Sequence, residues 1–278
     1  MALSKLPRRA PDTHKGDYGR ILIVAGSTGM CGAAALASDG AYRSGAGLVY
    51  LACPATLVPI LSVKQTCAVV RPLPDTGEGF LSADASLAIT GLAAGCSAVA
   101  IGPGLGLHPK TQEAVRQAVT AATLPLVIDA DGLNAFAQTP ELLAKGRVPR
   151  VLTPHRGELA RLTPGAVRKD RESWAGEAAS RFHSVVVLKG HQTIVADGSR
   201  SFVNKTGNPG MATGGSGDVL TGMIAALIGQ GMSPYEAACL AVHLHGLAGD
   251  LAAKRCGQMS MMATDILDAL PEAFKKGA

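Results

Sequence analysis

Asn204-Lys-Thr-Gly-Asn-Pro-Gly-Met-Ala-Thr-Gly-Gly-Ser-Gly-Asp218 runs without interruption into Val219-Leu-Thr-Gly-Met-Ile-Ala-Ala-Leu227. The first part reads as a glycine-rich loop and the second as an apolar helix. Small residues at 214 to 217 leave backbone N–H groups free to face an anion, and the helix that opens there adds the positive end of its dipole. Phosphate is the natural guest. A carboxylate has the wrong sign to hold phosphate directly, so Asp218 reads as a base that takes the proton from a hydroxyl attacking a phosphoryl group. The plainer alternative is that Asp218 caps the helix while the glycines only turn the chain. Asn204, Thr206, Gly207, Asn208 and Gly210 make the run longer and more specific than an isolated Gly-Gly-Ser-Gly-Asp.

Upstream of this loop, short apolar runs recur at 21–24, 48–52, 98–101, 126–128, 151–152 and 185–188. They are apolar on both faces, the pattern of parallel strands covered by helices on either side. The segments between them at 33–43, 83–94, 109–122 and 170–182 are Ala-rich or amphipathic and long enough for helical crossovers. Residues 193–196 and 201–203 flank Asp197-Gly198 as a hairpin would. Beyond the loop come three helices at 218–229, 234–254 and 264–274, the second with Ser233 as N-cap and Pro234 at its first position. With no linker or internal repeat dividing the chain, the expectation is a single three-layer α/β/α domain over 1–278 with a mostly parallel central sheet.

Composition agrees with a globular enzyme. Of 278 residues, 47% are hydrophobic and 17% charged, which provides a core and leaves no case for extended disorder. The net charge of +5 is spread out, apart from Pro7-Arg8-Arg9 and Lys275-Lys276, and aromatics are only 4%. Neither a nucleic-acid patch nor a base-stacking surface is expected. The six cysteines at 31, 53, 67, 96, 239 and 256 show no metal-ligand spacing and read as reduced and mostly buried. A polar start and interrupted apolar runs argue against a signal peptide or a membrane span, so the expected compartment is the cytoplasm.

Other segments carry candidate chemistry. Gly26-Ser27 follows the first strand and Gly32-Ala33 opens the next helix, at the strand end where open α/β sheets bind ligands. Gly102-Pro-Gly-Leu-Gly106 gives a second side-chain-free edge. Asp129 and Asp131 follow another strand, and one of them could help hold Mg²⁺ through water, although an Asp in an Asp-Gly turn is commonly structural. His155 either hydrogen-bonds a substrate or caps local backbone. The run Lys189-Gly-His-Gln-Thr193 has the length of a hairpin connection. His243 and His245, one residue apart on a helix, point to different faces and cannot grip one metal together; packing or solvent exposure accounts for both. Met259, Met261 and Met262 read as core or subunit contact.

Together, 204–222, His14-Lys-Gly-Asp-Tyr-Gly19, Ala25-Gly-Ser27 with Gly32-Ala33-Ala34, Gly45-Ala-Gly47, Gly102 to Gly106, Asp129-Ala-Asp131, Thr153-Pro-His155 and Lys189-Gly190 resemble the blocks of the NAD(P)H-hydrate dehydratase family, in its order, over roughly residues 14 to 274. The resemblance implies a ribokinase-like fold and an ADP-dependent lyase that restores NADH and NADPH from the S form of their hydrates, NADHX and NADPHX. Asp218 would be the catalytic base, with Ala33, Gly104, Gly106, His155 and Asp218 at the hydrated substrate. Lys189, Gly190, His191, Gln192 and Thr193, with Gly214, Gly215, Ser216 and Gly217, would hold ADP and then AMP. Mg²⁺ is the implied cofactor, without assigned ligands, and the implied assembly is a homotetramer. The family's blocks begin at His14, leaving no room for an epimerase domain, so a separate epimerase would draw in the R form. Arg156 stands where the family commonly has Pro, which alters loop stiffness and adds charge. The same Gly-x-Gly-Asp core also suits a kinase of a small vitamin-precursor alcohol such as hydroxyethylthiazole, and the fold alone would suit a non-catalytic adenine-nucleotide sensor.

Overall fold

The computed structural model describes residues 3–6, 9–146, 148–165 and 170–277. Pro7 and Arg8 of the basic run lie outside the described residues. The central sheet contains β1 (Arg20–Val24), β2 (Leu48–Pro54), β3 (Val69–Leu73), β4 (Ala98–Ile101), β5 (Leu126–Ile128), β6 (Arg150–Leu152), β7 (Val185–Leu188), β8 (Ile194–Ala196) and β9 (Ser201–Val203). Their spatial order is β3-β2-β1-β4-β5-β6-β7-β8-β9. All pairings from β3 to β7 are parallel, and β8 and β9 add antiparallel at the far edge as the expected hairpin.

The helices are α1 (Cys31–Arg43), α2 (Val58–Lys64), α3 (Ala85–Ala93), α4 (Pro109–Ala121), α5 (Asp131–Asn134), α6 (Arg156–Leu162), α7 (Arg171–Phe182), α8 (Ser216–Gly229), α9 (Pro234–Cys256) and α10 (Ala263–Lys276). Alternation along each strand divides the core into two layers. Ile21 and Ile23 of β1 face a layer built with α1, α8, α9 and α10. Leu22 and Val24 face the opposite layer with α3, α4 and α7. This is the three-layer α/β/α arrangement.

α8 is the central helix, buried from Val219 to Ile228, and it crosses under β1, β4 and β5. Its closeness to α1 depends on two glycines. A Cβ on Gly222 would stand 1.9 Å from the Ala37 carbonyl oxygen, and one on Gly40 would stand 2.5 Å from that of Val219. The backbones therefore touch, which fixes where α8 begins. That start is Ser216, two residues earlier than the sequence pattern suggests, so Asp218 lies inside the first turn.

Several expectations need correction. β3 and α2 do not appear in the sequence reading; β3 carries Arg71 and Pro72 and is largely exposed, as an edge strand permits. Of the cysteines only Cys53 and Cys239 are buried, Cys31, Cys96 and Cys256 are half-buried and Cys67 is exposed, all as free thiols. Met261 is core, but Met259 and Met262 are exposed. Among the described residues no helix is long and apolar enough to cross a membrane.

Candidate active site at the carboxyl edge of the sheet

The chain runs outward from β1 to β2 and β3, then returns to β4 on the other side of β1. Such a switch point opens a crevice beyond the strand ends. The two loops that leave it are tied to each other: Gly26 N–H donates to the Pro103 carbonyl at 2.9 Å, and Gly102 N–H donates to that of Val24 at 3.1 Å. Gly104 sits at φ +61°, and a Cβ there would lie 2.9 Å from that of Ala33, so these two predicted substrate residues meet. Gly106 donates its N–H to Asp131 Oδ2 at 2.8 Å. Beside it Phe80 stacks on His108, with ring centroids 5.5 Å apart. The wholly buried Ser27 hydroxyl points into the same corner with no partner among the described residues.

The ends of β5, β6 and β7 supply the charged groups. After β5, Ala130 adopts φ 47° and ψ −118°, a conformation that costs a non-glycine residue about 1–3 kcal/mol. The reversal separates the two flanking carboxylates. Asp131 turns to Gly106, while Asp129, 1% exposed, accepts hydrogen bonds from Lys189 Nζ at 2.5 Å and Thr221 Oγ1 at 2.7 Å. After β6, His155 and Glu158 form a reciprocal cap on α6: His155 Nδ1 accepts from the N–H of Gly157 and Glu158 at 2.9 and 3.2 Å, and Glu158 Oε2 accepts the His155 N–H at 2.7 Å. An Nδ1 that accepts leaves the ring proton on Nε2. The imidazole thus caps the backbone through Nδ1, while its Nε2 lies 3.4 Å from Glu158 Oε1.

Four carboxyl groups, Asp129, Asp131, Glu158 and Asp218, are close enough to feel one another, with Lys189 among them. Burial pushes Asp218 up, and the charge of Asp129 adds to this; Lys189 pulls the other way, while Asp131 and Glu158 push further, leaving Asp218 at about 7. Burial likewise raises Glu158 against the pull of Lys189. For Lys189, burial works to lower the ammonium, but Asp129 and Glu158 outweigh it and hold it raised, hence charged. A carboxyl near 7 is matched to proton abstraction at neutral pH. Asp218 makes no capping bond, since the residue in the N-cap position of α8 is Gly215 at φ 91°.

The glycine-rich loop is held from α9. Asn204 Nδ2 donates to the carbonyls of Val242 and Thr206 at 3.0 and 3.2 Å, and Thr206 Oγ1 donates to that of His243 at 2.8 Å. Asp250 accepts from Gly207 N–H and from Asn208 Nδ2 at 2.9 and 3.0 Å. At the end of this braced run, a Cβ on Gly214 would find open space, and one on Gly217 would stand 3.2 Å from Lys189 Nζ. Behind the loop His245 is buried, and burial pushes it down to about 4, so it is neutral; its Nε2 lies 3.5 Å from Ser216 Oγ. His243 is half-buried. The contact of His245 with the glycine-rich loop is not legible in the sequence, because only the packing of α9 behind α8 creates it.

The run from Lys189 to Thr193 is divided. Lys189 turns inward to Asp129, whereas Gly190, His191, Gln192 and Thr193 form the outer turn, with His191 and Gln192 exposed. Arg171 braces this turn, donating to the carbonyls of Leu188 at 3.2 Å and of His191. Among the described residues no three His, Cys, Asp or Glu side chains converge tightly enough to hold a metal directly.

A family model described as NAD(P)H-hydrate dehydratase matches residues 21–272, which include every residue of this crevice. The chain belongs to that family. A bifunctional NAD(P)H-hydrate repair enzyme of Moorella thermoacetica is 47% identical over 277 residues, covering 98% of this chain and 52% of the relative. The chain spans about half the length of the curated relatives it matches. Among solved structures, the ADP/ATP-dependent NAD(P)H-hydrate dehydratase of Bacillus subtilis, co-crystallised with ATP/Mg²⁺, superposes with a TM-score of 0.83 at 34% identity, covering 99% of this chain and 95% of that one. Thermotoga maritima ribokinase, at 14% identity and a TM-score of 0.58 over 92% of this chain and 99% of that one, shares the fold alone. The NAD(P)H-hydrate dehydratase family is thus built here on a ribokinase-like frame.

Proposed function

We propose that this chain dehydrates the S form of hydrated NADH and NADPH, coupled to conversion of ADP to AMP and phosphate. The observation that supports the reading is Asp218, held at about 7 in the first turn of α8 where the glycine-rich loop ends, among Asp129, Lys189, Asp131 and Glu158. Hydration leaves a hydroxyl on the nicotinamide ring, and hydroxide is a poor leaving group. Asp218 takes the hydroxyl proton as the oxygen attacks the terminal phosphoryl of ADP and AMP departs. The ring carbon then carries a phosphate ester. Loss of phosphate, with a proton leaving the neighbouring ring carbon, restores the double bond.

The backbone N–H groups of Gly214 to Gly217 and the start of α8 face the transferring phosphoryl group, and Gly190 to Thr193 line the nucleoside end. Ala33, Gly104, Gly106 and His155 border the hydrated dinucleotide. Bound Mg²⁺ supplies charge neutralisation on the phosphoryl oxygens. Of the carboxyl groups around Lys189, Asp129 or Asp131 would help hold the ion through water. An epimerase activity supplies the S form from the R form, and the expected assembly is a homotetramer, which light scattering checks. The deciding experiment follows near-ultraviolet absorbance of reduced nicotinamide when hydrated NADH meets the protein with Mg²⁺ and either ADP or ATP. Growth only with nucleotide supports the reading and names the donor. A folded, nucleotide-binding protein that gives no growth with either refutes it, and a stable phosphorylated alcohol as product would assign a kinase.

A further inference from the structure

Between Gly106 and His155 stands a side chain that no motif singles out. Arg161, in the last turn of α6, donates through Nε and Nη2 to Asn134 Oδ1 at 3.1 and 2.8 Å. Asn134 Nδ2 donates to Asp131 Oδ1 at 3.2 Å, and Asp131 Oδ2 accepts the Gly106 N–H at 2.8 Å. Two bonds to one oxygen fix the plane of the exposed guanidinium. Its Nη1 is left over. That atom lies 3.9 Å from the point where a Gly157 Cβ would stand, and His155 Cε1 lies 3.0 Å from the same point. The cation is therefore strung between the two loops that border the proposed dinucleotide, and a chain of hydrogen bonds anchors it to one of them.

A tie between α5 and α6 alone does not need a charge, because Asn134 is neutral. Among the described residues Arg161 forms no ion pair. Lys189 is taken up by Asp129. Arg156, at the other end of α6, faces the nucleotide side: burial, and then the like charge of Arg156, holds the Arg171 guanidinium below its ordinary value. On the dinucleotide side, a phosphate approaching four carboxyl groups meets like charge, and Arg161 is the preorganised cation at hand to offset it. We infer that Arg161 binds a phosphate of the hydrated dinucleotide through its free Nη1, which makes it a substrate-binding residue of the crevice.

This inference rests on the proposed dehydratase reading, so binding and turnover are measured separately. NADH and NADPH, the unhydrated and stable probes, are titrated against wild type, Arg161→Ala and Arg161→Lys by their own fluorescence, and KM and kcat are measured with the hydrated forms. For Arg161→Ala, Kd and KM rise about tenfold, as for loss of one charge-assisted hydrogen bond, with kcat, nucleotide KM and Tm unchanged. Arg161→Lys recovers part of the loss, and the difference shrinks at high salt. Equal loss for NADH and NADPH assigns the diphosphate bridge, whereas loss for NADPH alone assigns the 2′-phosphate. Unchanged Kd for both probes, or a loss of Tm shared with Asn134→Ala without any change in Kd, overturns the inference. A wild type that binds NADH and never dehydrates its hydrate sinks the dehydratase reading and leaves the phosphate subsite standing.

Discussion

Asp218→Asn tests the burial of the base and its chemistry in one variant. The Asp218 carboxyl is raised from 3.8 to about 7, so the folded chain keeps a proton that the unfolded chain has released between those two values. A group raised on folding contributes stability that is complete below 3.8 and lost as pH climbs through 7. Above 7 the ionised carboxylate costs the native state about three units at 1.36 kcal/mol each, or about 4 kcal/mol, and the partial exposure of Asp218 brings the expectation to about 2–4 kcal/mol. An amide carries no charge at any pH. Asp218→Asn should therefore be more stable than wild type at pH 8 by that amount, or about 2 °C in Tm per kcal/mol, and should converge on it towards pH 4. Turnover should fall by about 10²–10⁴-fold for want of a proton acceptor. Urea denaturation at pH 5 and pH 8 with single-turnover kinetics checks both halves. A variant no more stable relative to wild type at pH 8 than at pH 5 refutes the buried-charge argument, and retained turnover refutes the base.

Lys189→Met leaves Asp129, 1% exposed, without its cation, and should lose about 3–5 kcal/mol by chemical denaturation. The double variant with Asp129→Asn should regain most of it, and the acid limb of the Lys189→Met rate profile should move to higher pH because Lys189 no longer holds Asp218 down. Gly222→Ala drives a methyl into the Ala37 carbonyl oxygen, and calorimetry should find about 2–3 kcal/mol lost, with nucleotide KM raised as the start of α8 shifts. Gly214→Ala meets nothing in the folded chain, so Tm should stay within about 1 °C, equivalent to the usual half kcal/mol of a surface change. Its methyl would nevertheless stand where the phosphoryl group approaches, and nucleotide KM should rise; an unchanged KM would remove Gly214 from the anion loop.

What the sequence made legible was local. β1, β4, β5 and β7 are apolar at every buried position, and the glycines at 214, 215 and 217 announce a tight turn, in which Gly214 faces open space. β3 was not legible because Arg71 and Pro72 suit an exposed edge and dilute the apolar signal. The expectation of mostly buried cysteines failed because free cysteine is a common core residue on average, whereas Cys67 here lies in the exposed connection after α2. The charged centre was illegible for another reason. Asp129 meets Lys189 across 60 positions and Thr221 across 92, and no periodicity reports such a distance. In the sequence Lys189 therefore reads as part of the nucleotide run, and the folded chain adds that it is the counter-ion of Asp129.

That regrouping changes what Asp218 means. An aspartate in the first turn of α8 would ordinarily be favoured as an anion by the helix dipole, a poor state for a base that must hold a proton in turn. Burial reverses this, and the charges of Asp129, Asp131 and Glu158 add to it; the Ala130 conformation separates Asp129 from Asp131, and the His155 N–H holds Glu158. On the proposed reading, the carboxylates that raise Asp218 would also repel the phosphates it acts upon, so base strength and phosphate affinity would be opposed in this crevice and could not both be set by the carboxylates. On that reading, the loop N–H groups at the start of α8 and Arg161 of α6 approach from different elements and would offset the repulsion at the phosphates, while Lys189 stays engaged with Asp129.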